Sequence, residues 1–310
     1  MLELSGNWEP QTVYTLHEYV RQWTSYLVFL VETKAKQKCM EKIKFKLGFS
    51  NGLLVPSQGK SGGLALLWSK DVKLEIKSYS QHHINATITE HESNYTWRFT
   101  GFYSHSESHT RKESWKLLFY LNNQFSLPWF YCGDFNEILF LSKKSGGPQR
   151  TQCQMEGYRD AVNDCDFQDL RSSRPQFTWC NMREGSDRIY LCLDWAFANS
   201  DWLNKFNNYR VHHVVDSTSD HCIPRITDSR APPPSRKHPF HFEALWAKQD
   251  NCHGIVEPAW DSGSLTNTPE GIATNLSLCT FELSSWCKEV FGRIPKRIQE
   301  KRKLLHTLIE

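Results

Sequence analysis

The stretch Trp129-Phe-Tyr-Cys-Gly-Asp-Phe-Asn136 reads as a buried strand that runs directly into a turn. Four apolar or aromatic residues in succession suit a strand covered on both faces. Gly-Asp-Phe-Asn then supplies the turn formers that end it. Upstream, Trp115, Leu118, Leu121 and Phe125 recur at helical spacing and predict a helix over Ser114–Phe125. Downstream, Met155, Tyr158 and Val162 do the same for a shorter one. Further out, Tyr26-Leu-Val-Phe-Leu-Val31, Gly62-Gly-Leu-Ala-Leu-Leu-Trp68, Ile84–Thr89 and Trp97–Tyr103 are all strand-sized and apolar or β-rich. Strands interleaved with helices in this way predict a mixed α/β layered domain.

The composition is consistent with that reading. The chain has 310 residues, 39% apolar and 13% aromatic, enough for one large domain plus an extension. With 37 Lys+Arg against 34 Asp+Glu, the net charge is only +3. A global field that wraps a polyanion is excluded, so any nucleic-acid contact must use a local patch. The ten cysteines are scattered, with no Cys-x-x-Cys pair. They read as reduced thiols without disulfide partners in a nuclear or cytoplasmic protein that is not secreted. The segment Met1-Leu-Glu-Leu-Ser-Gly-Asn-Trp8 lacks the charged start and apolar core of a secretory signal. The longest apolar runs fall far short of a membrane span, so no membrane partner is expected. The sequons at Asn85, Asn94 and Asn275 are therefore read as chance matches.

Residues 1–228 form the predicted α/β domain. Arg230-Ala-Pro-Pro-Pro-Ser-Arg-Lys-His-Pro239 breaks the pattern, and 229–239 reads as a semi-rigid proline linker. Residues 240–310 read as helical, over Phe240–Lys248 and Ile272–Phe291, with Ile272, Leu276, Cys279, Leu283 and Val290 on one apolar face. The basic run Arg293–Lys303 reads as a solvated helix face.

Five segments carry residues suited to chemistry. Glu32 ends an apolar strand, where a charge needs a partner, a cation or solvent. Tyr103 ends a β-rich run with its phenol available. Asp134 and Asn136 stand two apart on one turn and can offer a carboxylate and an amide to a single ligand. Asp194 is an acid inside Leu191-Cys-Leu-Asp-Trp-Ala-Phe-Ala198, and Asp220-His221 is an adjacent acid and imidazole. Each of these alone is ambiguous between structure and function.

In this order the five segments resemble the endonuclease/exonuclease/phosphatase (DNase I-like) superfamily. They look most like the apurinic-type endonuclease domain of plant LINE-type non-LTR retrotransposons. Ser61-Gly-Gly-Leu-Ala-Leu-Leu-Trp68, Gly146-Gly147, Phe177-Thr-Trp-Cys-Asn181 and Ala196-Phe-Ala-Asn199 add to the resemblance. Phe240-His-Phe-Glu-Ala-Leu-Trp246 resembles the spacer that leads to a reverse transcriptase, here absent. The resemblance implies a four-layered α/β sandwich, two packed β-sheets flanked by helices, with a C-terminal helical extension. It also implies a divalent-metal-dependent phosphodiesterase that nicks DNA by in-line attack of water, with Mg²⁺ or Mn²⁺ as the ion. Glu32 and Asp220 would hold the metal. His221, oriented by Asp194, would contact the scissile phosphate, and Asp134 would orient or deprotonate the water. Asn136 would position the phosphate and Tyr103 would stabilise its developing charge. The competing readings are a catalytically inactive retroelement-derived module and a small-phosphoester phosphatase of the same superfamily. The Trp-Cys-Asp-Arg signature of inositol-phosphate phosphatases is absent.

The sequence departs from that family in three places, the smallest being Ser104, where glycine commonly follows the tyrosine. Relatives open with a strand ending in Trp-Asn-x-Arg-Gly, and Pro10–Leu16 matches the helix after it. Met1-Leu-Glu-Leu4 does not supply that strand, and Asn7 stands at the wrong distance, so an N-terminal truncation with loss of one site amide is expected. Cys192-Leu-Asp-Trp195 replaces Arg-Leu-Asp-Arg, which predicts the loss of two cations beside the phosphate.

Overall fold

The computed structural model describes residues 2–3, 8, 10–59, 62–91, 93–170, 175–216, 219–228, 242, 246–263, 268–291 and 301. Asn7, Ser61, the proline segment 229–239, residues 240–241 and 243–245, and the basic run 293–303 apart from Lys301 lie outside the described residues. The chain divides into two compact units, Met1–Pro234 and Ser235–Glu310.

The first unit contains two main sheets. In the first, β1 (Leu2–Glu3), β2 (Leu27–Val31), β4 (Leu64–Trp68) and β3 (Asn51–Val55) lie side by side in that order, with helices α1 (Pro10–Gln22) and α2 (Gln37–Lys46) between β1 and β3 in the chain. In the second, six strands run in the order β10 (Gln168–Asp169), β13 (Asp194–Ala198), β8 (Trp129–Asp134), β7 (Thr96–Tyr103), β6 (His83–Thr89) and β5 (Lys73–Tyr79). Helices α3 (Arg111–Asn122) and α4 (Gln152–Asp164) precede and follow β8 in the chain. A small sheet of β9 (Lys144–Ser145), β12 (Tyr190–Leu191) and β11 (Trp179–Cys180), helix α5 (Ser200–Lys205), and a hairpin of β14 (Tyr209–Val214) and β15 (Ile223–Asp228) complete the unit.

Side-chain alternation along the strands sets the layers. In β2, Phe29 and Val31 pack with Leu64 and Leu66 of β4 against Ile84, Ala86, Phe99, Phe130 and Cys132 of the other sheet. The opposite faces, Val28, Leu30, Ala65 and Leu67, take α1 and α2 through Leu16, Tyr19, Met40 and Ile43. Behind the six-stranded sheet, Phe102, Trp129, Tyr131, Trp195 and Phe197 pack on Trp115, Leu118, Leu121 and Tyr158 of α3 and α4. The result is a four-layered α/β sandwich. The apolar runs in β2, β4 and β8 are continuous because both of their faces are covered. β1 pairs in parallel with β2, Leu2 opposite Leu30, so the edge expected to lack a strand carries a two-residue one.

Two expectations need correction. The helix expected over Ser114–Phe125 runs from Arg111 to Asn122. The Asn122-Asn123 pair ends it, since Asn side chains compete with the helical backbone, and Phe125 lies beyond it, 37% exposed. In the second unit, α6 (Asp250–Asp261) and α7 (Pro269–Phe291) pack through Cys252, Leu283 and Trp286. The face expected on α7 is displaced: Ile272, Leu276 and Val290 are exposed, whereas Asn275, Cys279, Leu283 and Trp286 are buried. Trp286 draws the helix round, with its ring edge-on to Trp246 at 6.1 Å. All ten cysteines are free thiols. No described helix is long and apolar enough to cross a membrane.

Candidate active site

Three strands of the first unit stop at the same edge. Tyr103 ends β7 and lies in register with Asp134, which ends β8. Asp134 in turn faces Asp194, the first residue of β13. Glu32 follows the last residue of β2 with φ +50°, a left-handed conformation costly for a side chain with a Cβ. The turn that imposes it is held by the Thr33 and Lys34 amides, which donate to the carbonyls of Gly63 (3.1 Å) and Gly62 (3.0 Å).

Glycine sets the spacing. A methyl group at Gly101 would lie 2.5 Å from the Phe29 ring, so glycine there lets β7 close on β2. With the sheets so close, the Tyr103 hydroxyl donates to Glu32 Oε1. The Lys34 ammonium lies 2.6 Å from Glu32 Oε2. A methyl at Gly133 would meet the Phe102 carbonyl oxygen at 1.9 Å, which leaves glycine as the residue that fits between Cys132 and Asp134.

The turn after β8 folds back on its own carboxylate. Asp134 Oδ1 accepts from the Asn136 backbone amide and Asp134 Oδ2 from Asn136 Nδ2, both at 2.8 Å. Asn136 Nδ2 also donates to the Ser104 carbonyl at 3.2 Å, and its backbone sits at φ +52°. Across the sheet, His221 Nδ1 lies 2.9 Å from Asp194 Oδ2, with both side chains buried. Asp194 Oδ1 is buried and, among the described residues, has no hydrogen-bond partner. Burial pushes the Asp134 carboxyl up to about 7. The His221 charge and the Asn136 amide oppose that rise, and the carboxylates of Asp194 and Glu32 reinforce it. Four of the expected residues, His221, Asp194, Asn136 and Glu32, are thus within electrostatic reach of the Asp134 carboxyl, and Tyr103 joins them through Glu32.

Asp220 is placed differently. Its Oδ2 accepts from the Trp179 indole at 3.0 Å, and its carbonyl from the Cys180 amide, while Trp179 bridges to His221. Among the described residues, no group of three His, Cys, Asp or Glu side chains is arranged to hold a metal ion.

The Endonuclease/Exonuclease/phosphatase family profile matches residues 10–221. The chain belongs to that family. Among solved structures of this fold, the endonuclease domain of TRAS1, a telomere-specific non-LTR retrotransposon, is similar at 12% identity over 74% of this chain and 96% of that one (TM-score 0.54). The AP endonuclease of Archaeoglobus fulgidus is similar at 13% identity over 70% and 94% (TM-score 0.54). The 3′ phosphatase NExo of Neisseria, bound to a product DNA hairpin, is similar at 12% over 72% and 95% (TM-score 0.54). No curated protein matches the sequence.

The Endonuclease/Exonuclease/phosphatase family is generally dependent on a divalent metal, and the donor chemistry here suits a hard ion. Glu32 offers carboxylate oxygen beside a pocket rich in acids, and its pairing with the Lys34 ammonium shows that a cation is accommodated there. An ion held by one carboxylate would keep several waters, as Mg²⁺ commonly does. Two residues escaped the sequence reading. Lys34 stands two positions beyond a site glutamate, a local signal that was readable. Trp179 reaches Asp220 across 41 positions, and no short-range pattern marks that contact.

The expected loss of a cation at 195 also needs correction. Cys192 and Trp195 both belong to the buried cluster behind the sheet. The Trp195 indole donates to the Glu137 carbonyl at 3.2 Å. Trp195 follows Asp194 on β13, so its side chain leaves by the other face. Trp195 thus extends an aromatic layer on the face away from Asp194.

Proposed function

We propose that this chain is a divalent-metal-dependent phosphodiesterase that nicks DNA by in-line attack of water. The observation that carries the reading is the buried Asp194–His221 pair next to Asp134, a carboxyl raised to about 7. A base poised near the working pH and an imidazole held by an acid are what a hydrolytic phosphoryl transfer needs. Asp134 accepts the proton of the attacking water. Asn136, whose two amide protons go to Asp134 and the Ser104 carbonyl, exchanges the longer bond to Ser104 for one to a phosphate oxygen. His221, fixed through Nδ1 by Asp194, presents Nε2 to the scissile phosphate. Tyr103 steadies Glu32 and offers its phenol to developing negative charge. Glu32 would hold Mg²⁺ or Mn²⁺, which supplies charge neutralisation on the phosphate. Asp220, with one oxygen on Trp179, supports the His221 side and would reach the ion indirectly.

The Lys34–Glu32 ion pair favours one alternative, a chain in which lysine satisfies the glutamate and no turnover occurs. Conversion of supercoiled plasmid to open circles in Mg²⁺, compared with EDTA and with His221→Ala, separates the two. Nicking by the wild-type chain alone supports the proposal. Equal nicking by wild type and His221→Ala would mean a contaminating nuclease and the inert reading.

A further inference from the structure

The chemistry above leaves unused a buried ion pair behind the Asp134–Asn136 turn. Arg111 NH1 lies 2.6 Å from Glu137 Oε2, with the two side chains 7% and 1% exposed. Two local rules are broken to place it there. Arg111 is the first residue of α3, where the helix already presents positive amide groups and a cation is disfavoured. Burying both charges carries a desolvation cost that their attraction seldom recovers in full. Such departures from local preference concentrate at functional sites.

The connections show what the pair fixes. Arg111 NH2 donates to the Ser106 carbonyl at 2.8 Å, and Arg111 Nε reaches the His105 carbonyl at 3.4 Å. Arg111 therefore grips the loop that follows Tyr103. That loop touches the active-site turn twice: the Ser104 amide donates to the Asp134 carbonyl at 2.8 Å, and Asn136 Nδ2 to the Ser104 carbonyl at 3.2 Å. Glu137 adjoins Asn136 in the chain. Its Oε1 accepts from the Ile138 amide at 3.1 Å and lies 3.5 Å from Arg150 Nε, while its carbonyl takes the Trp195 indole. Asn136 is thus held on both sides by groups that converge on one guanidinium, while its own backbone is left-handed at φ +52°.

We infer that Arg111 and Glu137 are positioning residues, a clamp that locks the Tyr103 loop to the Asp134–Asn136 turn and holds the Asn136 amide against Asp134, the acceptor of the water proton. The inference rests on the phosphodiesterase reading above. It is tested with the full chain carrying Arg111→Met with Glu137→Leu, apolar replacements of similar bulk, which commonly preserve folding where a single deletion does not. Expected are an almost unchanged melting temperature, a KM within about twofold and a kcat about 10²-fold lower, the scale of loss from an ångström-sized misplacement. Arg111→Lys keeps the charge without the fork and serves if the double variant does not fold; it should lower kcat at constant KM as well. Glu137→Gln, which retains an acceptor, should recover most of the activity.

A readout independent of turnover is the Asn136 side-chain amide by NMR. In the wild type its two protons should be distinct and shifted by their hydrogen bonds, and in the clamp variants they should move towards free-amide positions. Unchanged kcat or an unmoved Asn136 amide in a folded variant would overturn the clamp. If the wild-type chain fails to nick, the phosphodiesterase reading falls, and the Asn136 amide alone then decides the clamp.

Discussion

Replacing Asp134 by asparagine should raise the stability of this protein at alkaline pH and abolish its activity. Asp134 is 2% exposed and its carboxyl sits at about 7, against 3.8 for the ordinary group. Between roughly pH 4 and 7 the folded chain therefore keeps a proton that the unfolded chain has released, so unfolding becomes easier as pH rises through that window. Three pH units at about 1.4 kcal/mol each set a ceiling of about 4 kcal/mol above pH 7. Asparagine removes that cost and keeps an oxygen for the Asn136 backbone amide. Its own NH₂ then meets Asn136 Nδ2, donor against donor, and the lost hydrogen bond returns about 1 kcal/mol. The net expectation is a gain of about 2–3 kcal/mol at pH 8 that vanishes near pH 4. Urea unfolding from pH 4 to 8 in EDTA measures it, read as the difference between variant and wild type. The difference matters because the buried imidazoles of His83 and His213, each lowered to about 4 chiefly by desolvation, slope the other way. Their contribution grows as pH rises from about 4 to 6.5 and is common to both proteins. A flat difference curve, or a wild type increasingly favoured above pH 6, would refute the argument.

His221→Ala should cost about 3–5 kcal/mol, because it strands Asp194 with neither oxygen paired; Asp194→Asn should cost less in thermal unfolding while lowering nicking by at least 10²-fold. Gly101→Ala forces the Phe29 ring aside, with an expected loss of about 1–3 kcal/mol by denaturant titration and weaker activity as Tyr103 separates from Glu32. Arg98 lies 3.9 Å over Trp129 while donating to Asn85 Oδ1 and the Leu121 carbonyl. Lysine cannot reproduce that fork, so Arg98→Lys should lower stability by about 2 kcal/mol with the pH dependence of activity unchanged. Mg²⁺ added to the wild type should flatten the stability slope between pH 4 and 7, since a cation beside Glu32 favours ionised Asp134; an identical slope with and without Mg²⁺ would count against a metal at Glu32.

Much of this was readable along the chain because the informative residues sit at strand ends. Tyr26–Val31, Trp97–Tyr103 and Trp129–Cys132 declare buried strands by composition, and Glu32, Tyr103 and Asp134 are the first chemically capable residues at their C-terminal ends. What sequence could not show was direction across layers. Asp194 and Trp195 are neighbours in the chain and leave β13 by opposite faces, so the tryptophan at 195 takes no place beside Asp194. Arg111 gave no signal, since an arginine opening a helix looks like an ordinary surface residue until Glu137 is found buried against it. The offset on α7 has the same origin. Periodicity identifies an amphipathic helix, but a large ring such as Trp286 shifts which side is covered.

The electrostatics of the pocket join the fold to the proposed chemistry. Three carboxylates, on Glu32, Asp134 and Asp194, converge where β2, β7, β8 and β13 meet, and the positive groups contacting them are the Lys34 ammonium and His221 when protonated. Like charges this close oppose one another's ionisation, and at Asp134 burial, reinforced by the Asp194 and Glu32 carboxylates, raises the carboxyl to about 7. A phosphodiester brings a further negative charge. The carboxylates that add to the burial-driven rise of Asp134 would also repel the substrate, unless a cation enters with it. Glu32 is the residue that would hold a divalent ion, and the positive charge supplied there would offset both the phosphate and the neighbouring carboxylates, favouring the ionised form of Asp134 that the proposed reaction uses as its base.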